Sequence, residues 1–225
     1  MRVLMIAPPG AGKGTQGALI AAHFGIPHIA TGELLRHHVA RRTGLGLAVQ
    51  EYLDRGELVP DQVVLDIVRE ELVAAKAAGE GGYVLDGIPR NMQQARAAYL
   101  IASELGMTAD VALHLDAGDA EVTRRLLARA ALEHRSDDTA DVIAGRLDLY
   151  HRVTAPIICW YRERGILVSV NAMRPAQQIG REILTALDGM RPLLDGEAAR
   201  ARHPGDLATL AEAFGVTGPA AAPCG

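Results

Sequence analysis

The chain has 225 residues, 49% of them hydrophobic, enough to bury the core of one domain with small inserted subdomains. A formal net charge of −4, with five Tyr, two Phe and one Trp, supplies neither the basic field nor the stacking platforms of a nucleic-acid binder. Cys159 and Cys224 lie far apart without CxxC spacing, suggesting neither a zinc cage nor a disulfide framework, and no 18-residue apolar span or signal-like N-terminus points to membrane insertion or secretion, so a cytoplasmic location is expected.

Val3 to Ala7 reads as a strand, and Pro8-Pro9-Gly10-Ala11-Gly12-Lys13-Gly14-Thr15 follows it into a helix over Lys13–His23. Glycines let such a loop curl its N–H groups inward, the helix adds its positive end, and Lys13 adds a mobile cation, which together suit a polyphosphate. The general phosphate-loop pattern is broken twice: Ala7 stands in place of its first glycine, and Gly14 separates Lys13 from Thr15. The bland alternative is a glycine-rich turn with a surface lysine. Against it, only two of the 23 basic residues are lysines, Lys13 and Lys76.

A second strand, His28–Ala30, leads to Thr31-Gly32-Glu33-Leu34-Leu35-Arg36, where Thr31 is expected to be a helix N-cap with Arg36 just over a turn inside. After a helix over Gln62–Ala78, the strand Tyr83–Leu85 runs into Asp86-Gly87-Ile88-Pro89-Arg90, a carboxylate placed to orient metal-bound water, or simply an Asp-Gly turn. Helices are then expected over Met92–Leu105, Asp119–Glu133, Thr139–Arg164 and Pro175–Leu187, with strands at Asp110–Leu115 and Leu167–Val170. Arg125 and Arg129 share a helical face, and Arg135 and Arg146 flank the next polar segment, a set able to hold polyanions or to be only a solvated face. The alternation predicts an α/β fold, a five-stranded parallel sheet with helices on both faces and a ligand crevice at the strands' carboxyl ends. From Gly189 the composition shifts to Arg, Pro, Gly and Ala; this extension, 189–225, is expected to be partly disordered or to form one docked helix through Leu207, Leu210, Ala211 and Phe214.

Jointly, PPGAGKGTQ, TGELLR, DGIPR with Gln94-Ala95, RSDD, RLDLYH and TAP resemble the adenylate kinases, a nucleoside monophosphate kinase family of the P-loop NTPase type, over about residues 1–188. The resemblance implies reversible, Mg-dependent phosphoryl transfer from ATP to AMP, giving two ADP. It implies an ATP site of Gly10, Ala11, Gly12, Lys13, Gly14, Thr15, Arg125, Arg129 and Arg174. The AMP site would comprise Thr31, Arg36, Glu57, Leu58, Val59, Gly87, Ile88, Pro89, Arg90, Gln94, Arg135 and Arg146, with Gln94 reading the adenine. Lys13, Arg90, Arg125, Arg129, Arg135 and Arg146 would be catalytic, and Asp86 would hold Mg2+ through water. A mobile AMP-binding segment, 31–60, and a short lid, 129–139, without the long form's zinc-type cysteines, would close over substrates. The protein would act as a cytoplasmic monomer without structural zinc and without nucleic-acid or membrane partners. Ala7, Ile88 and Ala130 depart from the family pattern. A UMP, CMP or other monophosphate kinase, or a catalytically weak nucleotide-binding regulator, remain alternatives on the same scaffold.

Overall fold

A computed structural model describes residues 1–133 and 139–194. Its five strands, β1 (Arg2–Ile6), β2 (His28–Ala30), β3 (Tyr83–Asp86), β4 (Val111–Asp116) and β5 (Leu167–Asn171), form one parallel sheet in the order β2-β3-β1-β4-β5. Parallel pairing sets Met5 beside Asp86 and Ile6 beside His114, so the ends of three strands open onto the same edge. The chain alternates sides along β1. Val3 and Met5 join Ile20, Leu126 and Ile183 in one core, whereas Leu4 and Ile6 join Leu72, Ala98 and Ile157 in the other. Each such aliphatic side chain contributes roughly 1.5–3 kcal/mol by leaving water, and this two-sided burial is why the strands read as nearly continuous apolar runs.

Helices α1 (Lys13–Phe24), α6 (Asp119–Glu133) and α9 (Ala176–Leu194) carry the first core; α4 (Asp61–Ala77), α5 (Met92–Glu104) and α8 (Pro156–Glu163) carry the second. The region after β2 forms two helices, α2 (Thr31–Ala40) and α3 (Gly44–Asp54), joined through Thr43, whose hydroxyl caps α3 by accepting from the Gly46 N–H at 3.1 Å. Trp160 is 9% exposed, edge-on to Tyr99 and Tyr161, with the Arg164 guanidinium 3.3 Å above its ring centroid.

Three expectations need correction. Thr31 is the first residue of α2 and Ala30 its N-cap; the Thr31 hydroxyl instead donates to the Asp86 carbonyl at 3.2 Å. The helix expected over 139–164 is divided into α7 (Ala140–Leu149), a π-helical turn (Tyr150–Thr154) and α8. Pro156 lacks the N–H an α-helix would use there and its ring would crowd the carbonyl four residues back, so the wider turn, with the Ala155 N–H donating to the Tyr150 carbonyl, relieves it. Finally, α9 runs on past residue 187 to Leu194 because Met190 and Leu194 bury in the first core, which outweighs the cost of Gly189 and Pro192 in the helix.

Candidate active site

The turn between β1 and α1 is shaped by two glycines with left-handed backbones, Gly10 (φ 83°) and Gly12 (φ 93°). A methyl group on Gly10 would meet the Val122 carbonyl oxygen and Leu126 Cγ at 2.8 Å, so helix α6 closes over the loop only because nothing is there. Gly12 caps α1 with no side-chain bond, which leaves the first-turn N–H groups without a capping acceptor at the positive end of the helix. Ala7 needs no glycine backbone: its φ is not positive, its methyl lies in the first core, and its carbonyl accepts from Lys13 Nζ at 3.1 Å.

Lys13 is drawn down to about 8 chiefly by burial; Asp86 opposes the shift, while Arg90, Arg146 and Arg129 add to it. Asp86, the last residue of β3, is 9% exposed. Arg90 donates through Nε to the Gly87 carbonyl at 2.7 Å, and its own carbonyl accepts from the Thr154 hydroxyl at 2.7 Å, so its turn is braced from the π-helical segment. Gly32 lies beneath both the Arg36 and Arg90 guanidiniums, where a methyl group would stand 3.5 and 3.7 Å from them.

These groups surround a cavity of about 420 Å3 lined by Gly10, Gly12–Thr15, Arg36, Asp86, Arg90, Arg125, Arg129 and Arg146, among others. One arm, of about 90 Å3, shares Lys13, Gly87, Arg90 and Arg146 and extends to Gly56, Leu58, Pro89 and Tyr150. A second, of about 470 Å3, shares Gly10, Gly12, Thr15 and Arg125 and extends past Ala11 to Met173, Arg174 and Pro175. Lys13 and the loop therefore sit between two branches, the arrangement needed to set two phosphorylated molecules end to end. Six cations face two carboxylates, Glu33 and Asp86, around the central cavity. Glu121 offsets part of the charge by pairing with Arg124 and with Arg125, whose Nε donates to it at 2.7 Å; these bonds hold Glu121 well below the usual carboxylate range.

The expected residues do not all line this cleft. Thr31, Val59, Ile88 and Gln94 are buried behind its walls, Ile88 completely, and Glu57 is exposed beside Leu58. Arg174 lines the second arm, its guanidinium held by Glu182 with Nη1 donating at 2.6 Å and its carbonyl accepting from Arg125 at 3.5 Å. Arg135 lies outside the described residues, as do Ser136, Asp137, Asp138, Cys224 and the extension from Asp195 onward. Among the described residues, no group of three or more His, Cys, Asp or Glu is arranged to hold a metal ion, and no helix is long and apolar enough to cross a membrane.

A family model described as adenylate kinase matches residues 5–166. The chain belongs to the adenylate kinase family. It is 41% identical to the adenylate kinase of Thermobifida fusca over 187 residues, which are 83% of this chain and 98% of that relative. It is 42% identical to the adenylate kinase of Leptospira biflexa over 186 residues, 83% of this chain and 99% of the relative, and 41% identical over 186 residues to adenylate kinase 1 of a Nostoc species, 83% and 98% of the two chains. For this adenylate kinase family member the sequence motifs left out the residues that brace the site. Thr154 lies within the TAP motif but carries no sign of its bond to Arg90. His114, 4% exposed in β4, bonds to Tyr150 and Ser169 at 3.3 Å each and is lowered to about 4, first by burial and then by Arg162 and Lys13. Its place beside Ile6 was visible only as one polar letter in an apolar run.

Proposed function

We propose that the protein catalyses reversible phosphoryl transfer between ATP and AMP to give two ADP. The observation that carries the reading is the branched cleft, in which Lys13 and arginines from several elements face one central space. In the forward direction an oxygen of the AMP phosphate forms a bond to the terminal phosphorus of ATP as the bond from that phosphorus to the bridging oxygen breaks, and ADP departs with the electron pair. No proton needs to move. The protein's work is alignment, charge neutralisation and exclusion of water. The open N–H groups at the start of α1 hold the ATP phosphates, and Lys13 follows the transferred group. Arg36 and Arg90 hold the AMP phosphate, while Arg125, Arg129 and Arg146 spread positive charge over the centre. Leu58, Gly87 and Pro89 form the AMP arm, with Thr31, Val59, Ile88 and Gln94 behind it.

Asp86 offers the hard oxygen donor that Mg2+ takes, and its position in the cleft fits a water-mediated hold on the metal of Mg-ATP; the ion would neutralise phosphate charge. Segment 31–60 closes over the substrates and shuts out water; most of the expected lid, residues 134–138 of 129–139, lies outside the described residues. The protein acts as a cytoplasmic monomer on ATP, AMP and ADP, without structural zinc.

Lys13→Met tests the reading. A coupled assay of ADP formation is expected to show a loss of about a hundredfold or more in kcat, the cost of removing a preorganised charge donor. Full activity in this variant would refute the assignment of the loop.

A further inference from the structure

Asp61 begins α4, 30 residues in sequence from the Asn91 N-cap of α5 and 33 from Gln94, yet it holds both. Gln94 Nε2 donates to Asp61 Oδ1 at 2.7 Å, and Asn91 Nδ2 donates to the two Asp61 oxygens at 3.0 and 3.2 Å. At its other end, Gln94 Oε1 accepts from the Arg90 N–H at 2.7 Å, and the Gln94 N–H donates to Asn91 Oδ1 at 2.7 Å. The partners have fixed polarity. A backbone N–H can only donate and the Asp61 carboxylate oxygen accepts, so the amide of Gln94 has one permitted orientation. It is 2% exposed and has no solvent to turn into.

We propose that Asp61 is a specificity-determining positioning residue of the monophosphate site, acting through Gln94. The proposal rests on the reading that Gln94, buried directly behind the AMP arm in this structure, meets the base of the nucleotide once that arm is occupied. With one lone pair and one hydrogen engaged, Gln94 retains one acceptor on Oε1 and one donor on Nε2. That edge complements the amino group and neighbouring ring nitrogen of a 6-aminopurine. A 6-oxopurine presents the reverse pattern and meets like against like. Asp61 therefore sets which purine class the site accepts without touching the nucleotide.

The test is Asp61→Asn, which keeps the shape but can donate as well as accept, so it no longer dictates the amide's direction. Initial rates with ATP as donor are measured for AMP and for IMP, the 6-oxo analogue. The ratio of their kcat/KM values is expected to fall about tenfold or more, with a higher KM for AMP and an ATP KM within about twofold of wild type. The ratio is independent of the fraction of enzyme folded, so a destabilised sample still gives the answer. In a Gln94→Ala background the same substitution is expected to leave the ratio unchanged. An unaltered ratio in Asp61→Asn, or an equal fall with Gln94 already removed, would overturn the proposal while leaving the function intact. Failure of the wild type to use AMP would instead remove the functional reading and this proposal with it.

Discussion

Lys13 and His114 show how one local environment has opposite uses. Burial lowers both groups, Lys13 to about 8 and His114 to about 4. The lysine remains a cation at neutral pH, ready for a polyanion, whereas the histidine is a neutral hydrogen-bonding block between β4, Tyr150 and Ser169. Because the folded value of His114 lies below its unfolded value of about 6.5, the unfolded chain binds its proton first on acidification. The stability from the neutral ring is thus fully present above about pH 6.5 and is lost as the pH falls toward 4, by up to roughly 3 kcal/mol. Denaturant titrations across that range should show the decline, and His114→Gln should flatten it; an equal slope in both proteins would remove His114 as its cause. Read as a letter, Ala7 only breaks the phosphate-loop pattern. Its backbone is free of the left-handed requirement and its methyl is in the core, two facts that a pattern of residue types does not contain.

At the scale of elements, the strands were legible because burial on both faces of a parallel sheet writes unbroken apolar runs. The helices between 31 and 60 were only partly so: α3 contains three residues, Gly44, Gly46 and Asp54, that favour other structures, and Gly46 is present because the backbone of His38 leaves no room for a Cβ. For a related reason α9 ends at Leu194, beyond the Leu187 that the sequence pattern predicts. Gly189 and Pro192 are poor helix formers, but Met190 is fully buried and Leu194 nearly so. Ending the chain after residue 188 should therefore be less stable than ending it after 194, by about 2–5 kcal/mol if the loss of Met190 behaves like a large-to-small core change. Thermal melting of the two truncated proteins gives the comparison, and equal melting temperatures would show that the last turns of α9 add nothing. The Asp61 network was illegible because its members come from separate helices and only the folded sheet edge brings them together.

For the whole molecule, the charge distribution is uneven: a net charge of −4 surrounds a central cavity lined by six cations and two carboxylates. The surrounding acidity limits indiscriminate attraction of polyanions, and the cleft concentrates its field where protein walls reduce screening. Raising ionic strength should increase KM for both nucleotides while changing kcat much less. Steady-state kinetics over a salt series test this, and a salt-insensitive KM would argue against charge-led capture. The residues that line the cleft were partly readable because its loop and DGIPR turn are contiguous motifs; its shape was not, since the branching comes from the sheet order. That order also separates the chemistry from the lone indole. Trp160 packs with Tyr99, Tyr161 and Arg164 beside Tyr83 and Ile166, which border the amino ends of β3 and β5, whereas the phosphate loop lies at the carboxyl ends. Its ultraviolet emission is thus a built-in gauge of the integrity of the α5–α8 face, spectrally removed from the nucleotides that arrive at the opposite edge.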